Sequence, residues 1–263
     1  MKLIALLLLL FPLTLMSQTS MKDKLYHKKT FQSSVGDSIP YRILFPEDYS
    51  HEKNYPLILF LHGAGERGND NEKQLTHGAD FFLDSLNRKN FPAIVVFPQC
   101  AENKYWVDIS IRGPLHQREE IDFKEVYAPP AREQELAMEL LHSIIDNESV
   151  DTSRLYIMGL SMGGFGTFEI LARHPHLFAA AIPICGGGNV EVVERYAPYT
   201  SLWITHGALD NVVPVMYSRN VYKALKELDA DVKYTEFPDA YHNAWDPTFE
   251  LPDLMEWLFS KSK

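Results

Sequence analysis

The stretch Leu155-Tyr156-Ile157-Met158-Gly159-Leu160-Ser161-Met162-Gly163-Gly164 decides the fold of this chain. Its first four residues are all apolar or aromatic, which is typical of a strand buried on both faces. A Gly-x-Ser-x-Gly sequence follows, and Gly164 to Arg173 predict a helix. Between such a strand and a helix, this pentapeptide predicts a sharp turn in which a strained serine projects its hydroxyl above the sheet. Ser161 is therefore the candidate nucleophile. The alternative is a glycine-rich turn in which the serine has no catalytic role.

Short apolar runs on both sides of this stretch predict further strands of the same sheet. The runs are nearly continuous rather than alternating, which is typical of a parallel sheet covered by helices. They are Leu57–Leu61, Ala93–Phe97, Ala179–Ile184, Leu202–Thr205 and, with the more polar composition of a sheet edge, Val232–Phe237. Before them, Leu25–Gln32 and Ile39–Phe45 predict a hairpin around a Gly-Asp-Ser turn.

Helical patterns lie between these runs. Their ranges are Pro130–Asn147, Gly164–Arg173, Ser218–Leu228 and Pro252–Phe259. The alternation predicts an α/β fold with a mostly parallel central sheet, helices on both faces and an N-terminal antiparallel hairpin. No repeat or linker interrupts residues 21–263, which we predict to be a single domain. Residues 99–129 follow neither the strand period nor the helix period. Their aromatic content predicts an ordered loop beside a pocket, and the alternative is a surface loop with no functional role.

The candidate base is a histidine, because a serine hydroxyl is a weak nucleophile until its proton is removed. The histidines downstream of the nucleophile are His174, His176, His206 and His242. His242 follows the last predicted strand, from which a loop can return it to Ser161. We therefore predict His242 as the base, with a surface histidine of no catalytic role as the alternative.

The candidate acid is Asp210, which follows the strand Leu202–Thr205 in the order Ser, Asp, His that is expected for this arrangement. Its carboxylate would accept the second imidazole N–H, fix the tautomer and stabilise the imidazolium. Asp239 and Asp246 are rivals because they lie close to His242 in sequence. The position at a strand end favours Asp210.

An oxyanion also needs hydrogen-bond donors, and two backbone amides are candidates. One is the N–H of Met162, directly after the nucleophile. The other is the N–H of Ala64 in the glycine-rich loop Leu61-His62-Gly63-Ala64-Gly65-Glu66-Arg67-Gly68. His62 is interpreted as a structural anchor of that loop rather than a second base. The loop lacks the Lys and Ser/Thr of a phosphate-binding P-loop.

Composition limits the classes of partner. The chain has 263 residues, 46% of them hydrophobic, and a net charge of −10, which describes an ordinary globular protein with an acidic surface. Nucleic acid phosphates require a basic face, so nucleic acid is not an expected partner. Anionic membrane surfaces are disfavoured for the same reason. A neutral substrate is unaffected by this charge.

The N-terminus predicts a cleaved signal peptide over about residues 1–20. Lys2 precedes the apolar segment Leu3–Leu15, and small or polar residues follow. The segment is shorter than the roughly 20 residues that span a bilayer, so stable membrane insertion is not expected. An uncleaved anchor is the alternative, and no cysteine is placed for a lipoprotein. We therefore expect a secreted or periplasmic protein.

Taken together, these motifs resemble the dienelactone-hydrolase-like and polyhydroxybutyrate-depolymerase-like branch of the α/β-hydrolases, which includes secreted carboxylesterases and feruloyl or acetylxylan esterases. The resembling stretches follow the family's order: Leu61–Gly68, Pro98-Gln99-Cys100, Gly159–Gly164, His206–Asp210 and His242. The resemblance implies an α/β-hydrolase fold and a serine carboxylesterase acting on a small-molecule or polysaccharide-linked ester. Its Ser-His-Asp triad needs no metal or organic cofactor.

The resemblance also implies a strand order in which the Leu57 and Leu155 strands are neighbours, flanked by the Ala93 and Ala179 strands. Cys100 and Cys185 follow the two flanking strands, so roughly 14 Å separate them at about 4.8 Å per spacing. A disulfide needs Cα atoms within about 7 Å. We therefore predict two free thiols near the rim of the active site.

The expected substrates, by family analogy, are feruloyl or acetyl esters of plant polysaccharides. Trp106 and neighbouring aromatic residues are expected to wall the substrate pocket. One alternative is a serine peptidase of the prolyl-oligopeptidase kind, which usually carries a large additional domain. The other is a catalytically silent hydrolase fold used for binding, against which the complete triad argues.

Overall fold

The computed structural model describes residues 21–111, 121–123 and 126–263. The predicted signal peptide lies outside the described residues. So do residues 112–120 and 124–125 of the predicted aromatic loop.

The central sheet consists of eight strands and confirms the predicted architecture. Its strands are β1 Tyr26–Gln32, β2 Ser38–Leu44, β3 Tyr55–Leu61, β4 Ile94–Pro98, β7 Val150–Leu160, β8 Ala180–Ile184, β9 Ser201–Gly207 and β10 Val232–Phe237. They lie in the order β1-β2-β4-β3-β7-β8-β9-β10. β1 and β2 form the predicted antiparallel hairpin, β2 is antiparallel to β4, and all pairings from β4 to β10 are parallel. The polar strand β10 lies at an edge, as predicted.

Helices cover both faces of this sheet because successive side chains of each buried strand point to opposite sides. The helices are α1 Met21–Leu25, α2 Ala79–Leu83, α3 Ser85–Asn90, α4 Arg132–Asn147, α5 Met162–Arg173, α6 Met216–Glu227, α7 Trp245–Phe249 and α8 Leu254–Phe259. Leu59 of β3 packs in the apolar cluster beneath α4, α5 and α6, whereas Phe60 packs in the cluster beneath α2 and α8. Within the described ranges, none of these helices has the length and apolar composition that crossing a membrane requires.

The aromatic segment 99–129 contains more regular structure than the sequence predicts. Two strands, β5 Ile109–Ile111 and β6 Ile121–Phe123, pair antiparallel in a small separate sheet. Three residues are too few for a periodic pattern to stand out. The short helices α2 and α3 are not predicted from the sequence for the same reason.

The strand order agrees with the prediction that Cys100 and Cys185 form no disulfide, and both thiols are free. β3 and β7 are neighbours, and β4 and β8 flank them. Cys100 follows β4 and Cys185 follows β8, and both are free and buried. Neither thiol is exposed, and Cys185 Sγ lies within 4.8 Å of donor atoms of His206 and Asp210.

The first turn of α5 crosses the end of β3 with direct contact between the two backbones. A Cβ atom at Gly163 would collide with the carbonyl oxygen of Leu61, and a Cβ atom at Gly159 would collide with that of Gly163. Backbone atoms cannot rotate out of the way, so glycine is required at both positions. This approach brings the start of α5 beside the loop that follows β3.

We expect Gly163→Ala to lower the free energy of unfolding by about 3 kcal/mol or more, because the new methyl group overlaps backbone rather than a movable side chain. Gly65→Ala is the matched control in the neighbouring loop, where a Cβ atom would meet nothing within 4 Å. Its expected cost is below about 0.5 kcal/mol. Urea denaturation followed by circular dichroism measures both variants, and equally small effects would contradict the close approach.

Candidate active site

Ser161 lies between β7 and α5 in the strained turn that the sequence predicts. Its backbone angles are φ 53° and ψ −115°, and the positive φ is costly for a residue other than glycine. The turn is held by the N–H of Ser161, which donates to the carbonyl of Ile184 on β8 at 2.8 Å. The hydrogen bond to β8 therefore maintains the strained backbone conformation of Ser161.

The three side chains predicted for catalysis meet in one hydrogen-bonded line. His242 Nε2 lies 2.8 Å from Ser161 Oγ. On the other side of the ring, His242 Nδ1 lies 2.7 Å from Asp210 Oδ2. Such a line allows the ring to accept the serine proton while its second N–H stays bound to the carboxylate.

Backbone hydrogen bonds between two loops bring the acid and the histidine together. Ala208 N–H, after β9, donates to Phe237 O at 2.9 Å, and Leu209 N–H donates to Ala240 O at 3.0 Å. Gly207 permits this contact because a Cβ atom there would collide with the carbonyl oxygens of Ala240 and Tyr241. The loops after β9 and β10 therefore form one packed unit that presents both side chains.

Asp210 is held as a carboxylate by donors on both of its oxygens. Oδ1 accepts the N–H groups of Val212 and Val213, each at 2.8 Å. Oδ2 lies between His242 and a second imidazole, His206 Nε2, at 3.2 Å. Burial alone raises the pKa of Asp210, but the hydrogen bonds from His206 and His242 outweigh it and hold that pKa well below its usual range.

Two of the rival residues, Asp246 and His176, have other partners. Asp246 accepts a hydrogen bond from Asn243 at 3.1 Å on the protein surface. The ring of His176 packs against Tyr199, with 4.0 Å between ring centroids. His174 follows α5 at the far end of that helix from Ser161, so His242 alone of these histidines is bound to the serine.

Both predicted oxyanion donors belong to segments that adjoin Ser161. Met162 is the first residue of α5, where backbone N–H groups have no partner within the helix. Ala64 begins a single 3₁₀ turn, Ala64–Glu66, and a Cβ atom on the preceding Gly63 would lie 3.6 Å from Ser161 Cβ. The role of these two amides in binding an oxyanion stays a prediction.

Two charged side chains of the loop Leu61–Gly68, which the sequence analysis did not single out, form contacts that stabilise it. Arg67 Nε donates to the carbonyl of Ala64 at 2.8 Å, and its guanidinium lies 4.8 Å from the ring centre of Tyr105. Glu66 is turned inward, where burial raises the pKa of its carboxyl group while His77 and the N–H of Gly63 act in the opposite direction. In the sequence, only the position of Glu66 and Arg67 in a glycine-rich loop could have indicated these contacts.

His62 anchors the same loop, as predicted, and does so as a neutral ring. Its Nδ1 lies 2.6 Å from Gly63 O, so that nitrogen carries the proton. Its Nε2 accepts the N–H of Cys100 at 2.9 Å and therefore carries none. Burial, together with a smaller contribution from the charge of Arg67, outweighs the opposing hydrogen bond to Gly63 O and lowers the pKa of His62 from 6.5 to about 4.

Trp106 does not lie where the sequence analysis expects it, at the wall of the substrate pocket. Its side chain is 0% exposed, and its indole N–H donates to His62 O at 3.0 Å. The indole also packs directly over Gly166 of α5. A side chain that is fully enclosed cannot form a pocket surface in this conformation, so Trp106 instead supports the loop Leu61–Gly68 through its hydrogen bond to His62 O. Aromatic composition alone does not distinguish an outward ring from an inward one.

One group of potential metal ligands occurs among the described residues. Cys185, His206 and Asp210 offer donor atoms within 4.8 Å of one another. Asp210 is already bound to His242, and burial together with the charge of Asp210 raises the pKa of Cys185 to about 12. A protonated thiol is a poor ligand, so these residues suit a hydrogen-bonded cluster better than a metal.

Comparisons with known proteins agree with this arrangement. Residues 32–242 match the profile of the family described as "Putative esterase". The crystal structure of a thermostable esterase matches with a TM-score of 0.81 at 36% identity, covering 91% of this chain and 64% of that chain. A ferulic acid esterase matches with a TM-score of 0.66 at 19% identity, covering 89% and 98%. Poly(3-hydroxyalkanoate) depolymerase C from Paucimonas lemoignei is 51% identical over 41 residues, which are 16% of this chain and 10% of that protein.

The chain thus spans 64% of the thermostable esterase and 10% of the depolymerase. The likeness to the thermostable esterase confirms the predicted α/β-hydrolase fold. The likeness to the ferulic acid esterase, at 19% identity, concerns the fold alone.

His62 predicts a pH dependence of stability. Its pKa is 6.5 in the unfolded chain and about 4 in the folded protein, so the unfolded chain binds more protons between these values. Lowering the pH from 6.5 to 4 therefore reduces the free energy of unfolding, by up to roughly 3 kcal/mol for this group.

Urea denaturation at several pH values checks this expectation against His62→Gln, whose amide oxygen can still accept the N–H of Cys100. The variant should be less stable overall and lose less stability than the wild type on acidification through this range. An identical loss in both proteins would contradict the assignment of a neutral, buried His62.

Proposed function

The chain belongs to this esterase family, and from that premise we propose that it is a serine carboxylesterase. It would hydrolyse carboxylic esters through an acyl-enzyme on Ser161. The observation that carries the proposal is the line Ser161–His242–Asp210, with distances of 2.8 and 2.7 Å, at the N-terminus of a helix.

In the first half of the reaction, His242 Nε2 accepts the proton of Ser161 as the serine oxygen attacks the ester carbonyl. The carbonyl oxygen becomes an oxyanion, which the N–H groups of Ala64 and Met162 would stabilise. Asp210 keeps the imidazole in the required tautomer and stabilises the imidazolium. The tetrahedral intermediate then collapses, and His242 gives its proton to the departing alcohol.

In the second half, water takes the place of the alcohol. His242 accepts a proton from the water as it attacks the acyl-enzyme, and a second oxyanion forms at the same two amides. Collapse releases the carboxylic acid and returns the proton to Ser161. Each residue therefore acts twice, and the free enzyme is regenerated.

Feruloyl and acetyl esters linked to plant polysaccharides are the substrates that we propose. The family resemblance supports them, and the fold is shared with a ferulic acid esterase. The net charge of −10 is compatible with neutral ester and sugar groups. Export through a signal peptide over residues 1–20, also a proposal, would bring the enzyme to such extracellular material.

The assay compares wild type with Ser161→Ala on p-nitrophenyl acetate. We expect kcat/KM to fall by about 10⁴-fold or more, because the substitution removes the hydroxyl that His242 activates. Ser85→Ala, which changes an exposed serine on α3, is the matched control and should retain wild-type activity. Equal rates for the two variants would contradict the proposal.

A substrate panel in the same assay separates the rival functions. Acetyl and feruloyl esters should be cleaved with higher kcat/KM than butyryl esters, and a peptide p-nitroanilide should be cleaved poorly. Preference for the anilide would favour a peptidase. Binding of esters without turnover would favour a silent hydrolase fold.

A further inference from the structure

His206 is a second histidine at the carboxylate of Asp210 and has no part in the reaction sequence above. It is the sixth residue of β9 and is 0% exposed. Its Nε2 lies 3.2 Å from Asp210 Oδ2, the same oxygen that binds His242 Nδ1 at 2.7 Å. One carboxylate oxygen therefore lies between two imidazole rings.

The surroundings of His206 fix a proton on Nε2. That nitrogen faces Asp210 Oδ2 and, at 3.0 Å, the carbonyl oxygen of Val213. The carbonyl accepts hydrogen bonds only, and so does the ionised carboxylate. An unprotonated Nε2 would place a lone pair against two acceptors in a site without solvent. His206 Nε2 is therefore a donor.

This conclusion does not depend on the other ring nitrogen. His206 Nδ1 lies 2.7 Å from Ser218 Oγ, which also lies 3.0 Å from Gly186 O. If Ser218 donates to Gly186, Nδ1 carries a second proton and the ring is an imidazolium. If Ser218 donates to Nδ1, the ring is neutral. In both states the Nε2 proton points at Asp210.

We infer that His206 is a positioning residue for the proposed triad: its Nε2–H holds Asp210 Oδ2 in the orientation that receives His242 Nδ1–H. The main-chain amides of Val212 and Val213 hold only Oδ1. Without the His206 donor, the carboxylate would keep only His242 and the weak thiol donor of Cys185 beside the two amides, so Oδ2 would be less firmly oriented. The inference rests on the proposed function, because it assigns His206 a part in that same reaction.

Two variants of similar size separate this role from simple packing. In His206→Gln the side-chain amide nitrogen reaches about the position of Nε2 and can still donate to Asp210. In His206→Asn the amide reaches only about the position of Nδ1, toward Ser218. We expect His206→Asn to lower kcat/KM about 10- to 100-fold, the effect of losing one hydrogen bond to a charged group. His206→Gln should stay within about threefold of wild type.

A double-mutant cycle with Asp210→Asn shows whether His206→Asn lowers kcat/KM through its contact with Asp210. Once Asp210 is replaced, His206→Asn should cost no more than about threefold further, because the group it positions is gone. A second full loss of 10- to 100-fold in that background would overturn the inference. Equal impairment of the Gln and Asn variants in the wild-type background would overturn it as well.

A measurement on the wild-type protein keeps the inference testable even if a variant does not fold or no ester is cleaved. Nitrogen-15 NMR of histidine-labelled protein reports which ring nitrogens carry protons, and the His206 signals are identified by their absence from the spectrum of whichever His206 variant folds. Nε2 of His206 should be protonated at neutral pH. An unprotonated Nε2 would overturn the inference, whereas absent ester hydrolysis with a protonated Nε2 would overturn only the proposed function.

Discussion

The hydrogen bond between His242 Nδ1 and Asp210 Oδ2, 2.7 Å long, joins two loops that leave adjacent strands of the sheet. A histidine alone on the loop after β10 could turn in several directions. The buried carboxylate selects one tautomer and one ring orientation, and only that orientation directs Nε2 at Ser161. The chemistry proposed for this protein depends on this contact more than on any other.

The fold makes the contact possible through close backbone packing. Parallel strands end at the same edge of the sheet, so the loops after β7, β9 and β10 gather there. Glycine at 163 and 207 lets neighbouring backbones touch where a methyl group would not fit. These close approaches fix how the loops pack, and the strained backbone of Ser161 is maintained by the sheet around it.

Much of this arrangement could be predicted from the sequence because the candidate catalytic residues follow the ends of parallel strands. Continuous apolar runs located the parallel strands, and the order Ser161, Asp210, His242 then placed three side chains at one edge. The role of His206 could not be predicted, because the spacing of His206 and Asp210 does not tell which ring nitrogen faces the acid. Trp106 is expected at the wall of the substrate pocket but is buried against the loop Leu61–Gly68, since a sequence shows that a residue is aromatic but not which way it points.

The most direct test of the account is the site of covalent attachment during turnover. The enzyme would be mixed with an activated acetyl ester, quenched in acid within milliseconds to seconds, digested and analysed by peptide mass spectrometry. The account predicts one acetyl group, on Ser161, that disappears as the ester is consumed. An acetyl group that accumulates on another residue, or turnover with no acyl-enzyme at any time, would contradict it.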